Sequence, residues 1–105
     1  MTWICVTLPL SEVVSARFAT MRGLLETALV TAGSPPDAAM FETEGDDPGI
    51  KTFYFSPRAA AFVRPFLVEH SYVVSECDAP SDAILLVGDD RARSLLRSTA
   101  NKSGK

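Results

Sequence analysis

The stretch Thr52-Phe53-Tyr54-Phe55-Ser56-Pro57-Arg58-Ala59-Ala60-Ala61-Phe62-Val63-Arg64-Pro65-Phe66-Leu67-Val68-Glu69-His70 decides the fold. It reads as a strand that runs straight into a helix. Side chains alternate across a sheet, so Phe53 and Phe55 point one way while Thr52 and Tyr54 point the other. Ser56 stands at the helix N-cap position and Pro57 at the first helical position, where its missing N–H has no intrahelical role. Ala59, Phe62, Val63, Phe66 and Leu67 follow at helical spacing as one apolar stripe. Phe53, Phe55, Phe62 and Phe66 are therefore expected to share one core. Pro65 should bend or divide the helix, because its ring collides with the carbonyl four residues back.

Towards the N-terminus, Trp3 to Leu8 reads as a first strand rich in β-branched and aromatic residues. Ile4, Val6 and Leu8 form one face; Trp3, Cys5 and Thr7 form the other. Pro9 ends it. Ser11 is placed to cap a helix, with Glu12 in the first turn. Val14, Phe18, Met21, Leu25, Ala28 and Ala32 recur at steps of three and four, the clearest period in the chain. Gly33 and Pro35-Pro36 stop this helix. Ala38 to Glu44 reads as a second strand with Ala39, Phe41 and Thr43 inward and Met40, Glu42 and Glu44 outward. The turn formers Gly45-Asp46-Asp47-Pro48-Gly49 should join it to the Thr52–Phe55 strand as a hairpin.

Beyond His70, Tyr72 to Cys77 reads as a fourth strand and Asp78 to Asp82 as a loop. The apolar run Ala83 to Val87 is read as a fifth strand pairing back on the fourth, followed by a short helix; one helix from Asp82 through Leu96 also fits the pattern. The order strand, helix, strand, strand, helix, strand is the split βαβ pattern of ferredoxin-like domains. The expected fold is thus α+β: a ferredoxin-like βαββαβ sandwich with two helices on one face of an antiparallel sheet and a C-terminal strand and short-helix extension. Residues 1–98 are expected to form a single domain and residues 99–105 a disordered basic tail.

Composition bounds the function. A chain of 105 residues with 47% hydrophobic content has enough apolar material for a core of its own. No run approaches the ~20 apolar residues of a membrane helix, and Met1-Thr2-Trp3-Ile4 lacks the basic region of a secretory signal, so a cytoplasmic location is expected. Cys5 and Cys77 are too few for a disulfide scaffold and too widely spaced for a metal knuckle, which leaves two free, buried or half-buried thiols. Charge is uneven. All thirteen acids precede residue 91 and, with five cations there, leave that part at −8; the remaining five cations stand in residues 91–105 without an acid, giving +5 and a total of −3.

The candidate binding surface is the sheet face away from the helices. It should carry Trp3, Cys5, Met40, Glu42 and Tyr54, along with Glu44. An exposed pair such as Trp3 and Tyr54 calls for a cover: a second subunit, a ligand or the terminal segment of the same chain. The reading is a small binding or interaction module that self-associates through this open face. The competing reading is a small-molecule binder or small enzyme of the dimeric ferredoxin-like barrel type, with a pocket on the same face. RNA could stack on such aromatics, but the acidic body and Glu42 and Glu44 argue against phosphate binding. The partner expected is therefore the chain itself or another protein, not nucleic acid or membrane. Ser56 and Arg58 at the helix start form a second candidate, an anion site. His70 is the only histidine and has no ligand or nucleophile spacing around it. Glu42, Glu44, Asp46 and Asp47 lack the spacing of a calcium loop. No metal, cofactor or catalytic set is read from the chain.

Overall fold

The computed structural model describes residues 2–31, 37–43 and 49–97. The turn at 45–48, the helix stop at 33–36, Ala32, Glu44 and the tail at 99–105 lie outside them. The elements run β1 (Trp3–Pro9), α1 (Leu10–Val13), α2 (Ala16–Thr31), β2 (Met40–Glu42), β3 (Ile50–Phe55), α3 (Pro57–Glu69), β4 (Ser75–Cys77), β5 (Ile84–Val87) and a 3₁₀ helix (Asp90–Leu95). The fold is α+β, with one antiparallel five-stranded sheet in the order β4-β1-β3-β2-β5.

The two central strands behave as their alternation requires. Ile4 pairs with Phe55 and Val6 with Phe53, and all four are buried under α2 and α3 together with Leu8. Leucine, methionine and phenylalanine from α2 (Phe18, Met21, Leu25 and Leu29) and Ala59, Val63 and Leu67 from α3 fill the space above them. The rings of Phe18 and Phe53 lie 5.1 Å apart. Phe66 packs at the edge of this core. Phe62 does not join it and is 37% exposed. The buried stripe of α3 repeats every four residues, and Phe62 falls one position to its outer side.

The first helix is two pieces, not one from Ser11. Ser15, not Ser11, caps the long helix: its hydroxyl accepts the N–H of Phe18 at 3.1 Å and donates to the Glu12 carbonyl at 2.6 Å. The chain stops at that cap and restarts, so Val14 is left 81% exposed and Leu29 takes a place in the stripe. The helix α3 runs through Pro65 without a break. Pro65 and Ala61, whose carbonyl loses its partner, both lie on the exposed side, where water can serve instead.

That helix ends on Ser71, the only described residue other than glycine with positive φ, at 68°. The N–H of Tyr72 bonds the Leu67 carbonyl at 2.9 Å and that of Ser71 bonds the Val68 carbonyl at 3.0 Å. This is a Schellman motif with serine in the left-handed position. Tyr72 is thereby drawn into the core beside Phe18 and does not start a strand; β4 begins only at Ser75.

The fifth strand pairs with β2, not with β4 as the sequence suggested. Leu85 stands opposite Phe41 and Val87 opposite Met40, with an irregularity between them at Leu86. The physical reason is what each edge offers. Ser75-Glu76 gives an apolar strand little to cover, whereas Met40 and Phe41 are fully buried once β5 is in place. Gly88, at φ 133°, lets the chain leave β5 tight against β2: a Cβ there would stand 3.0 Å from the Ala39 Cβ.

Candidate functional site

The sheet face opposite the helices gathers Trp3 and Cys5 from β1, Phe41 from β2, Tyr54 from β3, Cys77 from β4 and Leu85 from β5. Cys5 is directly opposite Tyr54, and Cys77 directly opposite Trp3. The rings of Trp3 and Phe41 are 5.7 Å apart and tilted by 39°. Thr7 and Thr52 share a hydrogen bond at 3.0 Å where the face becomes polar.

This face is not open. The chain on either side of β5, from Ala79 to Ala83 and from Asp90 to Leu96, lies across it: Ala92 is fully buried against Trp3, Ala39 and Phe41, and Ala79, Ala83, Leu95 and Leu96 pack around them. Its two ends are tied by the N–H of Arg97 to the Pro80 carbonyl at 2.9 Å. Asp89 caps the 3₁₀ helix through the N–H of Arg91 at 2.9 Å and holds the same residue's guanidinium at 3.2 Å. That contact also holds the Asp89 carboxyl below the usual carboxylate range. Trp3 is left 9% exposed. From the sequence the terminal segment was one of three possible covers, beside a second subunit and a ligand; Leu95 and Leu96 fit a helical face equally well, and nothing local says which surface they meet.

Two of the residues expected on this face lie elsewhere. Met40 is buried in the helix-side core, opposite Phe55. Glu42 is opposite Phe53 and bonds Lys51 at 3.4 Å. The alternation assigned to β2 was thus one residue out, and Phe41 points to the covered face instead. The register is set by Ser56, whose N–H bonds the Ala39 carbonyl at 3.0 Å and whose hydroxyl accepts the Ala39 N–H at 2.9 Å. A strand buried on both sides gives no polar beat from which to read its phase.

The expected anion site is occupied by the protein's own groups. The Ser56 hydroxyl makes no helix cap; besides accepting from Ala39 it donates to the Asp37 carbonyl at 2.6 Å. Arg58 bonds the Asp37 carboxylate at 2.9 Å. Both residues therefore tie the lead-in of β2 to the start of α3.

Burial raises the Tyr54 hydroxyl above its ordinary value, with Cys5 and Cys77 adding to the effect. Burial also pushes the Cys77 thiol up to about 12, with the Cys5 thiol next in importance and Asp78 behind it. Both shifts favour the neutral forms of Tyr54 and Cys77. Among the described residues no group of three or more histidine, cysteine or acidic side chains could hold a metal ion.

A polar cluster that sequence reasoning did not find joins α1, α2 and the end of α3. The Tyr72 hydroxyl donates to Glu12 at 2.6 Å, and the Arg17 guanidinium lies 4.7 Å from the Tyr72 ring centre and 3.6 Å from Glu12. Arg17 also donates to the His70 carbonyl. Burial, then the hydrogen bond and charge of Glu12, push Tyr72 up to about 12. The cluster stitches distant parts of the chain, and no sequence spacing announces it.

No described helix is long and apolar enough to cross a membrane. Comparison with family models, curated proteins and solved structures finds no match to this chain.

Proposed function

We propose that the chain is an interaction module that associates with a second copy of itself along the β5 edge of its sheet. Its frame is read as a ferredoxin-like sandwich extended by one strand. The order β4-β1-β3-β2, with α2 and α3 on one face, supports that reading.

The observation that carries the association is the contrast between the two sheet edges. β4 is three residues long, with Ser75 and Glu76 exposed; shortness and charge are how edges are blunted. β5 is Ile84-Leu85-Leu86-Val87 without a charge, and Ile84 is 38% exposed. Among the described residues its backbone bonds only to β2. Such an edge is a template for another strand, and two antiparallel copies related by a two-fold axis satisfy each other. The irregularity at Leu86 shortens the flat stretch, so the contact is weak. The test is sedimentation over a wide concentration range. The wild type should dissociate on dilution, Ile84→Lys should stay monomeric, and Glu76→Lys on the opposite edge should behave as wild type. A wild type that remains monomeric at about 1 mM overturns the proposal.

A further inference from the structure

We propose that Cys5 and Cys77 form an oxidisable dithiol, bridged reversibly by thiol–disulfide exchange with a small-molecule disulfide of the glutathione type. Both cysteines are free and half-buried. They lie far apart in the sequence but on adjacent antiparallel strands, β1 and β4. Cys5 is opposite Ser75 and Cys77 is opposite Trp3, so the two are diagonal neighbours on one face.

The diagonal placement decides what kind of bridge results. Diagonal positions on neighbouring strands are about 7–8 Å apart at Cα, whereas a relaxed disulfide spans about 4.4–6.8 Å. Closing the bridge therefore draws β4 in by roughly an ångström or more. β4 can follow, because it is a three-residue edge strand paired only with β1. The strain makes the bond easily reduced, which is the behaviour of a labile disulfide and not of a structural staple.

The chemistry balances as a two-electron exchange. The first attack is assigned to Cys5, with Cys77 as the resolving thiol. Cys5 loses its proton to water, and its thiolate attacks one sulfur of the small disulfide. That S–S bond breaks, and the leaving thiolate takes up a proton. Cys5 now carries a mixed disulfide. Cys77 then deprotonates and attacks the Cys5 sulfur, expelling the second small thiol. Two protein thiols are oxidised and one small disulfide is reduced to two thiols. The bridge pins β4 at the point where the covering segment begins, since Asp78 follows Cys77 directly. Oxidation thus fastens one end of the cover over Trp3 and Tyr54.

The test uses the full chain in native buffer, incubated with mixtures of oxidised and reduced glutathione, then alkylated and analysed by mass spectrometry. The expected result is loss of both alkylatable thiols, a mass lower by two hydrogen atoms, and a cross-linked peptide pair containing Cys5 and Cys77. Excess reduced glutathione should restore both thiols. Cys77→Ser should instead accumulate a lasting glutathione adduct on Cys5. The proposal is overturned if the wild type keeps both thiols free in oxidised glutathione, carries separate adducts on each cysteine, or links only between molecules. The wild-type peptide map decides the matter even if a serine variant fails to fold.

Discussion

The buried hydroxyl of Ser56 lies between Ala39 and Asp37, accepting the N–H of one at 2.9 Å and donating to the carbonyl of the other at 2.6 Å. This side chain, fully enclosed, sets the phase of β2 against β3. Ser56→Ala removes one partner from each of two backbone groups, and a buried group left unpaired costs about 1–3 kcal/mol. The expected loss of stability is about 2–4 kcal/mol by urea unfolding. Arg58→Ala, which removes only an exposed ion pair with Asp37, should change stability by less than about 1 kcal/mol. Equal effects from the two substitutions would show that the serine does not hold the register.

Phe53 and Phe62 separate core from surface on consecutive elements. Phe53 is enclosed by Phe18 and the helix-side core, while Phe62 looks outward. Phe53→Ala should cost about 3–5 kcal/mol, and Phe62→Ala about 1 kcal/mol or less. Chemical denaturation of the two variants side by side reads the difference.

Tyr72 gives the protein an alkaline limit. Its ionisation is raised from 10.0 to about 12 in the folded chain. A group raised in this way leaves stability intact below the unfolded value and removes it as pH climbs towards the folded value. Stability should therefore fall as pH rises from about 10 to about 12 through this residue. In Tyr72→Phe that part of the decline should vanish, while stability near neutral pH drops through loss of the Glu12 hydrogen bond. An unchanged alkaline slope in the variant would rule Tyr72 out as its source.

Two left-handed backbone positions predict opposite outcomes. Ser71, at φ 68°, holds a conformation that costs a residue with a Cβ about 1–2 kcal/mol. Part of that is returned as extra unfolded-state entropy in glycine, so Ser71→Gly should stabilise by about 0.5–1 kcal/mol. Gly88→Ala places a methyl 3.0 Å from the Ala39 Cβ at a φ of 133°, and should destabilise by about 1–3 kcal/mol. Thermal unfolding of both variants checks the signs.

How far the sequence could be read depends on what each residue must avoid. In β1 and β3, apolar Ile4, Val6, Phe53 and Phe55 alternate with Thr7 and Thr52, and that contrast sufficed to assign their faces. In β2 both neighbours of the backbone are apolar, because Met40 meets the helices and Phe41 meets the cover. The phase came from a serine distant in sequence, which no local pattern contains. The run Ala83 to Val87 announced a strand but carried no address, since hydrophobic attraction has no direction. Ser11 is the cap the sequence pointed to, whereas Ser15, four residues on, is the one that bonds the Phe18 N–H. Of the candidate surface, Trp3, Cys5 and Tyr54 do lie together; Met40 and Glu42 left it with the register of β2. Ser56 and Arg58 were singled out for their chemistry, and that chemistry is spent on Asp37 and Ala39.

The covering segment also has a consequence for synthesis. A chain leaves the ribosome from its N-terminus, and domains form as their pieces become available. β1 to β4 and both long helices precede the first residue of β5. A nascent chain that stops short of Ala92 could close its helix side while Trp3 and Phe41 still face water. The second side of the sheet is sealed last, by residues that meet the first strand only when nearly all of the described chain has emerged. The interval between those two events is when the growing polypeptide shows chaperones an apolar surface that the finished one conceals.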